Sequence, residues 1–439
     1  MAVVQEYQAA PGAQVSGEVT VPGDKSISHR SLMLGGIASG TTHIRGFLAS
    51  EDCLATLHAL AALGVPIERP EPTRVVVHGA GAAGLQGSAV PLDMGNAGTA
   101  MRLSMGLLAG QAFASTLIGD ASLMRRPMER VAGPLRQMGA AITTHEGRPP
   151  VRLHGGKVLH GIDYTMPMAS AQVKSAILLA GLTAQGRTRV TEPAATRDHT
   201  ERMLGAFGVA VVREGSTVSL SGGQPLTGTR IEVPADFSSA AFFLVAGVLA
   251  AQQGLRLRNV GVNPTRTGLL QMLQLMGAQI TVHPHGAGTD LVGEPLADVE
   301  VYASRLRGIE VPAALVPLSI DEFPVFFIAA ACAHGETVVR GAEELRVKES
   351  DRLAVMAAGL KTLGVDHTLL PDGIRIRGGQ GFSGGTVDSH GDHRIAMAFA
   401  IASLKASAPI RILDVANVAT SFPGFVELAQ SVGIRISAP

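Results

Sequence analysis

Residues 57–67 read LHALAALGVPI: a helix of small apolar residues that stops at Gly64 and runs at once into Val65 and Ile67. A glycine just past a helix takes the left-handed backbone conformation that closes the last turn, and β-branched residues after it favour a strand. The same phrase returns as LRQMGAAI, LGAFGVAV, LQLMGAQI, LKTLGVDH and LAQSVGIRI, with its glycine at 139, 208, 277, 364 and 433. The intervals are 75, 69, 69, 87 and 69 residues, a regularity that marks a structural repeat.

A second phrase stands ahead of each of these glycines: a short strand, a polar loop, then a helix of small apolar residues. Its copies are VPGDKSISHRSLMLGGIASG, PLDMGNAGTAMRLSMGLLAG, MPMASAQVKSAILLAGLTAQG, VPADFSSAAFFLVAGVLAAQ, LSIDEFPVFFIAAACAHG and VDSHGDHRIAMAFAIASLKAS. These helices are apolar nearly all round and are predicted to be buried, whereas the helices ending in glycine are amphipathic and should face solvent. Short β-rich pieces such as RVVVHGA, TVSLSG and GIRIRGG lie between them, bounded by Gly and Pro turns. Each unit therefore reads strand, buried helix, strand, outer helix, strand, strand. Six units shared equally give an α/β (α+β) chain of two similar domains, each with three βαβαββ repeats around parallel buried helices. The fifth unit is the longest, and its surplus falls in the Gly- and Pro-rich stretch 283–317. The expected domains are 24–234, and 1–23 together with 235–439, hinged near Pro234 and Ala235; the first strand, QVSGEVTVPG, could pair in either one.

With 439 residues, 46% of them apolar and 16% charged, the chain is globular and too long for one compact core. Lys plus Arg and Asp plus Glu each number 36, which argues against a general nucleic-acid binder. Anion binding must come from local clusters. Cys53 and Cys332 are the only cysteines, too few for a disulfide framework or a zinc site. The start, MAVVQEYQAAPGAQ, lacks a basic segment followed by an apolar one, and the longest apolar run, 240–251, is well short of a membrane helix. A soluble, cytoplasmic protein is expected, with a monomer as the default.

The unusual polar residues gather at two positions of the repeat. At the loop entering the buried helix stand Lys25, Ser26 and Arg30, then Asn96, Gly98 and Thr99, then Ser170 and Gln172, then Asp321, and last His393 with Arg394. At the start of the outer helix stand Arg126, Arg197 and the run Arg346, Lys348, Glu349, Asp351 and Arg352. Helix starts carry unpaired N–H groups and a partial positive charge, so parallel buried helices would present an anion-binding face. Two such faces closing on one another would enclose a cleft for substrates bearing several phosphate and carboxylate groups. One at a time the motifs have plainer readings: GNAGTA as a Gly-rich turn, RVKESDR as a solvated helix face, Asp392 as the N-cap of an apolar helix. Their return at equivalent places in the repeat favours function. In Gly23-Asp24-Lys25-Ser26 glycine does not adjoin lysine as a Walker loop requires, and neither HExxH nor GxSxG occurs. No metal site is expected.

Taken in order, VPGDKSISHR, GNAGTAMR, GDASLMRRPM, ASAQVKSA, RVKESDR and DHRIAMAF resemble the motifs of the 3-phosphoshikimate 1-carboxyvinyltransferases (EPSP synthases), and the likeness runs through essentially the whole chain. ASAQVKSA, TRDHT and ATSFP resemble in particular the glyphosate-tolerant, class II branch. The resemblance implies the enolpyruvyl transferase fold, an inverse α/β prism, with the active site in the interdomain cleft. It also implies transfer of the enolpyruvyl group of phosphoenolpyruvate to the 5-hydroxyl of shikimate 3-phosphate by addition and elimination. That step belongs to the shikimate pathway, leading to chorismate and the aromatic amino acids. It needs no cofactor and no metal, and its partners are two small molecules, with no nucleic acid and no membrane.

By the same resemblance, Lys25, Ser26, Arg30, Ser170, Ala171, Gln172, Arg197, Asp321 and Lys348 would hold shikimate 3-phosphate. Lys25, Asn96, Gly98, Arg126, Gln172, Arg352, His393 and Arg394 would hold or adjoin phosphoenolpyruvate. Asp321 is the expected base and Glu349 the proton donor, with Lys25 as an assisting cation. Thr420 in ATSFP stands where other members often carry Lys, Ala171 replaces a common Ser, and Gly98 occupies a position at which some tolerant members carry Ala. The related UDP-N-acetylglucosamine enolpyruvyl transferase typically pairs Lys with Asn near its start and carries a loop Cys. Here Lys25 precedes Ser26, and residues 119–128 contain no Cys. The acid–base pair Asp321 and Glu349 argues in turn against a non-catalytic anion-binding relative.

Overall fold

The computed structural model describes residues 5–285 and 294–438. The chain folds into two compact units: a central one of residues 23–233, with which Glu294 groups, and a terminal one built from the chain up to Pro22 and from Pro234 onward. Among the described residues, helices of two kinds alternate. In the central unit they are α1 (Lys25–Ile37), α2 (Glu51–Ala62), α3 (Gly98–Leu108), α4 (Glu129–Gln137), α5 (Ala171–Gly181) and α6 (His199–Ala206). In the terminal unit they are α7 (Phe237–Ala250), α8 (Gly268–Leu275), α9 (Phe323–Cys332), α10 (Arg352–Thr362), α11 (His393–Ala402) and α12 (Phe425–Ser431).

The odd-numbered helices are the buried ones. Every residue of α7 is buried, and so is all of α9 except Cys332. The even-numbered helices end at the repeated glycines, whose φ angles lie between 79° and 102°. Only glycine adopts that backbone without strain, which is why the phrase keeps it. Small residues also set how closely inner helices approach: a Cβ on Gly106 of α3 would stand 2.2 Å from the carbonyl oxygen of Ala176 in α5.

Each repeat owns one small sheet. In the third, Asp163–Thr165 runs parallel to Arg187–Thr191, which pairs antiparallel with Thr217–Ser221, and that strand pairs antiparallel with Val211–Glu214. The parallel pair needs a crossover helix and the antiparallel pair only a tight turn, so the order βαβαββ follows. The other sheets repeat the plan with variations. In the fifth, the isolated parallel bridges Arg307–His334 and Glu310–Val338 stand in for the outer strand. In the sixth, Glu6–Ala9 enters between Ile410–Leu413 and Ile436–Ser437. The surplus expected in 283–317 falls partly in 286–293, outside the described residues; Leu296–Tyr302 in it is a strand.

The strands that precede α1 and α7 are exchanged. Gly17–Val19, which leads into α1, pairs in parallel with Leu255–Leu257 of the terminal unit. Arg230–Glu232, which leads into α7, pairs in parallel with His43–Arg45 of the central unit. Two apolar cores result. The terminal one is rich in phenylalanine, with Phe323, Phe326 and Phe327 mutually packed at 5.6–6.5 Å between ring centroids. The central one rests mainly on Leu, Met, Val and Ala. No helix among the described residues is long and apolar enough to cross a membrane.

Candidate active site

In the central unit the candidate residues sit at the starts of the three inner helices, except Arg126 and Arg197, which lie ahead of the outer helices α4 and α6. Asp24 caps α1, its carboxylate accepting from Ile27 N at 2.9 Å, and this puts Lys25 and Ser26 in the first turn. Lys25 Nζ donates to Asp52 Oδ2 at 2.9 Å, so a carboxylate at the start of α2 aims the ammonium. Arg30 points inward. Its guanidinium donates to Thr200 Oγ1 at 2.7 Å, Ser175 Oγ at 2.9 Å and the carbonyl oxygen of Ser26 at 2.9 Å. Burial pushes its pKa down to about 10, against the pull of Glu201 and Asp24.

The start of α3 is built differently. Ala97 occupies its cap and contributes no side-chain bond, so the first-turn N–H groups keep their anion-binding capacity. Two arginines flank it: a Cβ on Gly98 would lie 3.0 Å from Arg126 Nη1 and 3.1 Å from Arg102 Nη1. Arg126 Nη2 donates to Asn96 Oδ1 at 2.6 Å, and Asn96 Nδ2 donates to Asp120 at 2.7 Å. Arg102 Nη1 donates to Gln172 Oε1 at 2.8 Å, and Gln172 Nε2 reaches Thr99 Oγ1 at 2.9 Å. Gln172 thereby links the start of α5 to that of α3. Ser170 caps α5, accepting from Val173 N at 3.4 Å, and Ala171 opens the helix. Arg197, half-buried, lies on the segment between the strand Arg187–Thr191 and α6.

In the terminal unit the candidates converge on Arg352, which is fully buried. It donates through Nη1 to Asp321 Oδ1 at 3.1 Å, through Nη2 to Glu349 Oε2 at 2.5 Å and through Nε to Asp392 Oδ2 at 2.8 Å. Burial works against its charge, but Asp392, Glu349 and Asp321 outweigh it and its pKa is raised. Asp321 also has Lys348 Nζ at 3.7 Å and Arg394 Nη2 at 3.9 Å, while its carbonyl oxygen accepts from Arg394 Nη1 at 3.1 Å. Lys348 donates to Glu344 at 2.8 Å. Asp392 is the N-cap of α11, accepting from Arg394 N at 3.0 Å, and buried His393 opens that helix.

Asp321, Lys348, Glu349, Arg352 and Arg394 are therefore brought together, with His393 next in sequence to the last. Arg346 turns elsewhere, donating to Asp351 and to the carbonyl oxygens of Pro371 and Leu370. The Thr420 hydroxyl donates to the carbonyl oxygen of Asn417 at 2.7 Å, closing a turn. Asp52 and Arg102 belong to the central group although the sequence did not single them out. Arg102 carried a signal, a lone cation inside the apolar helix TAMRLSMGLL. Asp52 carried none, because an acid in a first helical turn is ordinary.

A family model described as EPSP synthase (3-phosphoshikimate 1-carboxyvinyltransferase) matches residues 9–428. A 3-phosphoshikimate 1-carboxyvinyltransferase from Methylococcus capsulatus is 59% identical over 431 residues, 98% of each chain. One from Alkalilimnicola ehrlichii is 58% identical, covering 98% of this chain and 96% of its own. Among solved structures, an EPSP synthase from Acinetobacter baumannii superposes with a TM-score of 0.88 at 54% identity, over 99% of this chain and 100% of that one.

Proposed function

Because the chain belongs to the 3-phosphoshikimate 1-carboxyvinyltransferase (EPSP synthase) family, we propose that the two groups of residues just described divide one reaction between them. The chain is a transferase of the shikimate pathway that moves the enolpyruvyl group of phosphoenolpyruvate to the 5-hydroxyl of shikimate 3-phosphate. The open start of α3, with Gly98 between Arg102 and Arg126, suits the anionic groups of phosphoenolpyruvate, with Asn96, Gln172 and Lys25 alongside. The starts of α1 and α5, with Ser26, Ser170, Ala171, Gln172 and Arg197, take shikimate 3-phosphate, and Arg30 adds its charge beneath Ser26. Arg352, His393 and Arg394 complete the phosphoenolpyruvate set, and Lys348 that of the acceptor.

Asp321 takes the proton of the 5-hydroxyl as that oxygen bonds to the central enol carbon, and Glu349 protonates the methylene carbon. In the second step the bond from the central carbon to the phosphate oxygen breaks. Phosphate leaves with the electron pair, and the new methyl group returns a proton to Glu349. Lys25 and Arg126 stabilise the charge on the departing phosphate.

The reading is carried by the pairing of both carboxylates on one guanidinium: Arg352 holds Asp321 at 3.1 Å and Glu349 at 2.5 Å, an acid and a base at fixed separation. Phosphate release should require both substrates and cease when either is omitted. Asp321→Asn should retain substrate binding and lose turnover by about 10²–10⁴-fold. Unchanged turnover removes Asp321 from the mechanism.

ASAQVKSA, TRDHT and ATSFP support membership of the glyphosate-tolerant branch; tight inhibition by glyphosate would count against it. Free Cys53 and Cys332 support a cytoplasmic setting, and a core enclosed within each unit supports a monomer, which light scattering checks.

A further inference from the structure

Beneath the first turn of α5 lies a lysine that the reaction scheme does not use. Lys174 is completely buried; its ammonium donates to Glu192 Oε2 at 3.0 Å and pairs with Glu201 Oε1 at 2.7 Å. It also donates to the carbonyl oxygen of Thr196, 3.4 Å away. Thr196 in turn gives its hydroxyl to the other oxygen of Glu192 in a short bond. Arg30, attracted most strongly by Glu201, brings the buried group to two cations and two carboxylates, and the half-exposed Arg213 stands at its edge, 3.9 Å from Glu192 Oε2.

Charge balance explains why the cluster is tolerated. It does not explain why it is there, since apolar residues of similar volume serve a core as well or better. What apolar residues cannot do is hold a backbone carbonyl. Thr196 O belongs to the peptide leading into Arg197, and Lys174 N is itself bonded to Ser170 O at 3.1 Å. One side chain thus ties the cap of α5 to the segment that bears Arg197.

We propose that Lys174 is a positioning residue for the acceptor substrate: with Glu192 and Glu201 it locks residues 192–198 onto α5, fixing Arg197 relative to Ser170 for the phosphate of shikimate 3-phosphate. This rests on the reading of Arg197 and Ser170 as acceptor contacts. Lys174 touches no substrate and acts through Arg197.

Lys174→Met alone takes the nearest cation from Glu192 and Glu201 and puts folding at risk. Lys174→Met/Glu201→Gln removes one charge of each sign and keeps the balance. In that variant the melting temperature should stay close to that of the unmodified protein. Its KM for shikimate 3-phosphate should rise about tenfold, with the KM for phosphoenolpyruvate within about twofold. Glu192→Gln, which keeps the lysine with its Glu201 partner but weakens its pairing with residue 192 and the Thr196 hydroxyl bond, should move the same KM in the same direction by less. A lysine that merely neutralises charge predicts an unmoved acceptor KM in both folded variants, and that result overturns the proposal. Arg197→Ala, measured alongside, separates the two layers. An acceptor KM unmoved in Arg197→Ala sinks the acceptor assignment and the proposal with it. A raised KM there, with no change in the charge-balanced variant, sinks the proposal alone.

Discussion

A methyl group on Gly98 would fall 3.0 Å from one guanidinium nitrogen of Arg126 and 3.1 Å from one of Arg102, closer than carbon and nitrogen comfortably pack. Gly98→Ala should therefore push both arginines outward by a few tenths of an ångström. The expected result is a KM for phosphoenolpyruvate raised about tenfold, with the KM for shikimate 3-phosphate nearly unchanged. Steady-state kinetics with each substrate varied in turn reads this, and equal rises in both would reassign the start of α3. His29 offers a second test. It is wholly buried on α1, with Nδ1 2.7 Å from Thr56 Oγ1, and burial, then Lys25 and Arg30, lower its pKa to about 3. The unfolded chain takes up that proton near pH 6.5, so His29 supports the fold fully above this value and progressively less as pH falls toward 3. His29→Gln should flatten the acid limb of the stability curve, by a few kcal/mol at most. Urea unfolding at roughly pH 4 and pH 7 measures it, and an equal pH dependence in both proteins would discount the residue. The candidate site was legible wherever a polar residue stood at a repeated helix start, as at Lys25, Thr99, Ser170 and Arg394. Tethers such as Asp52 and Glu192 were not, since what marks them is a partner distant in sequence, at 27 and 18 residues.

At the scale of elements, the twelve α-helices of the described residues were legible because each kind carries its own pattern: apolar all round for a buried helix, a left-handed glycine at the end of an outer one. The expected bounds place residues 1–23 with 235–439, but leave open which edge the strand ahead of α1 extends. GEVTVPGD before α1 and RIEVPAD before α7 are nearly the same phrase, and a strand's own residues do not say which edge it will extend. The exchange has a mechanical centre. A Cβ on Gly23 would sit 1.9 Å from the carbonyl oxygen of Gly46 and 3.2 Å from Val233, whose N–H bonds Arg45 O at 2.8 Å. The chain thus enters and leaves the central unit at adjacent points. Gly23→Ala must force these backbone segments apart, at a cost of about 1–3 kcal/mol and a melting temperature lower by several degrees. A melting curve unchanged by the substitution would show that the crossing gives way without strain.

For the whole molecule, the chain crosses between units at only these two places along residues 5–285, so residues 23–233 form one continuous segment with its own core. Expressed alone, that segment should unfold cooperatively in a circular-dichroism melt and catalyse nothing. A melt without a transition would show that it depends on the rest of the chain. The cost of isolation includes Glu294, whose carboxylate lies 2.6 Å from His199 Nδ1 at the start of α6.

The inner helices of the two units also differ at their caps. Asp236, Glu322 and Asp392 stand before α7, α9 and α11, whereas in the central unit only α1 has an acid before it, Asp24, and Ala97 and Ser170 stand before α3 and α5. A small tetrahedral solute such as selenate, diffused into crystals, would therefore meet a carboxylate before every inner helix of the terminal unit. Its anomalous signal should gather beside Gly98 instead, marking in a single difference map which half of the molecule was shaped to receive phosphorus.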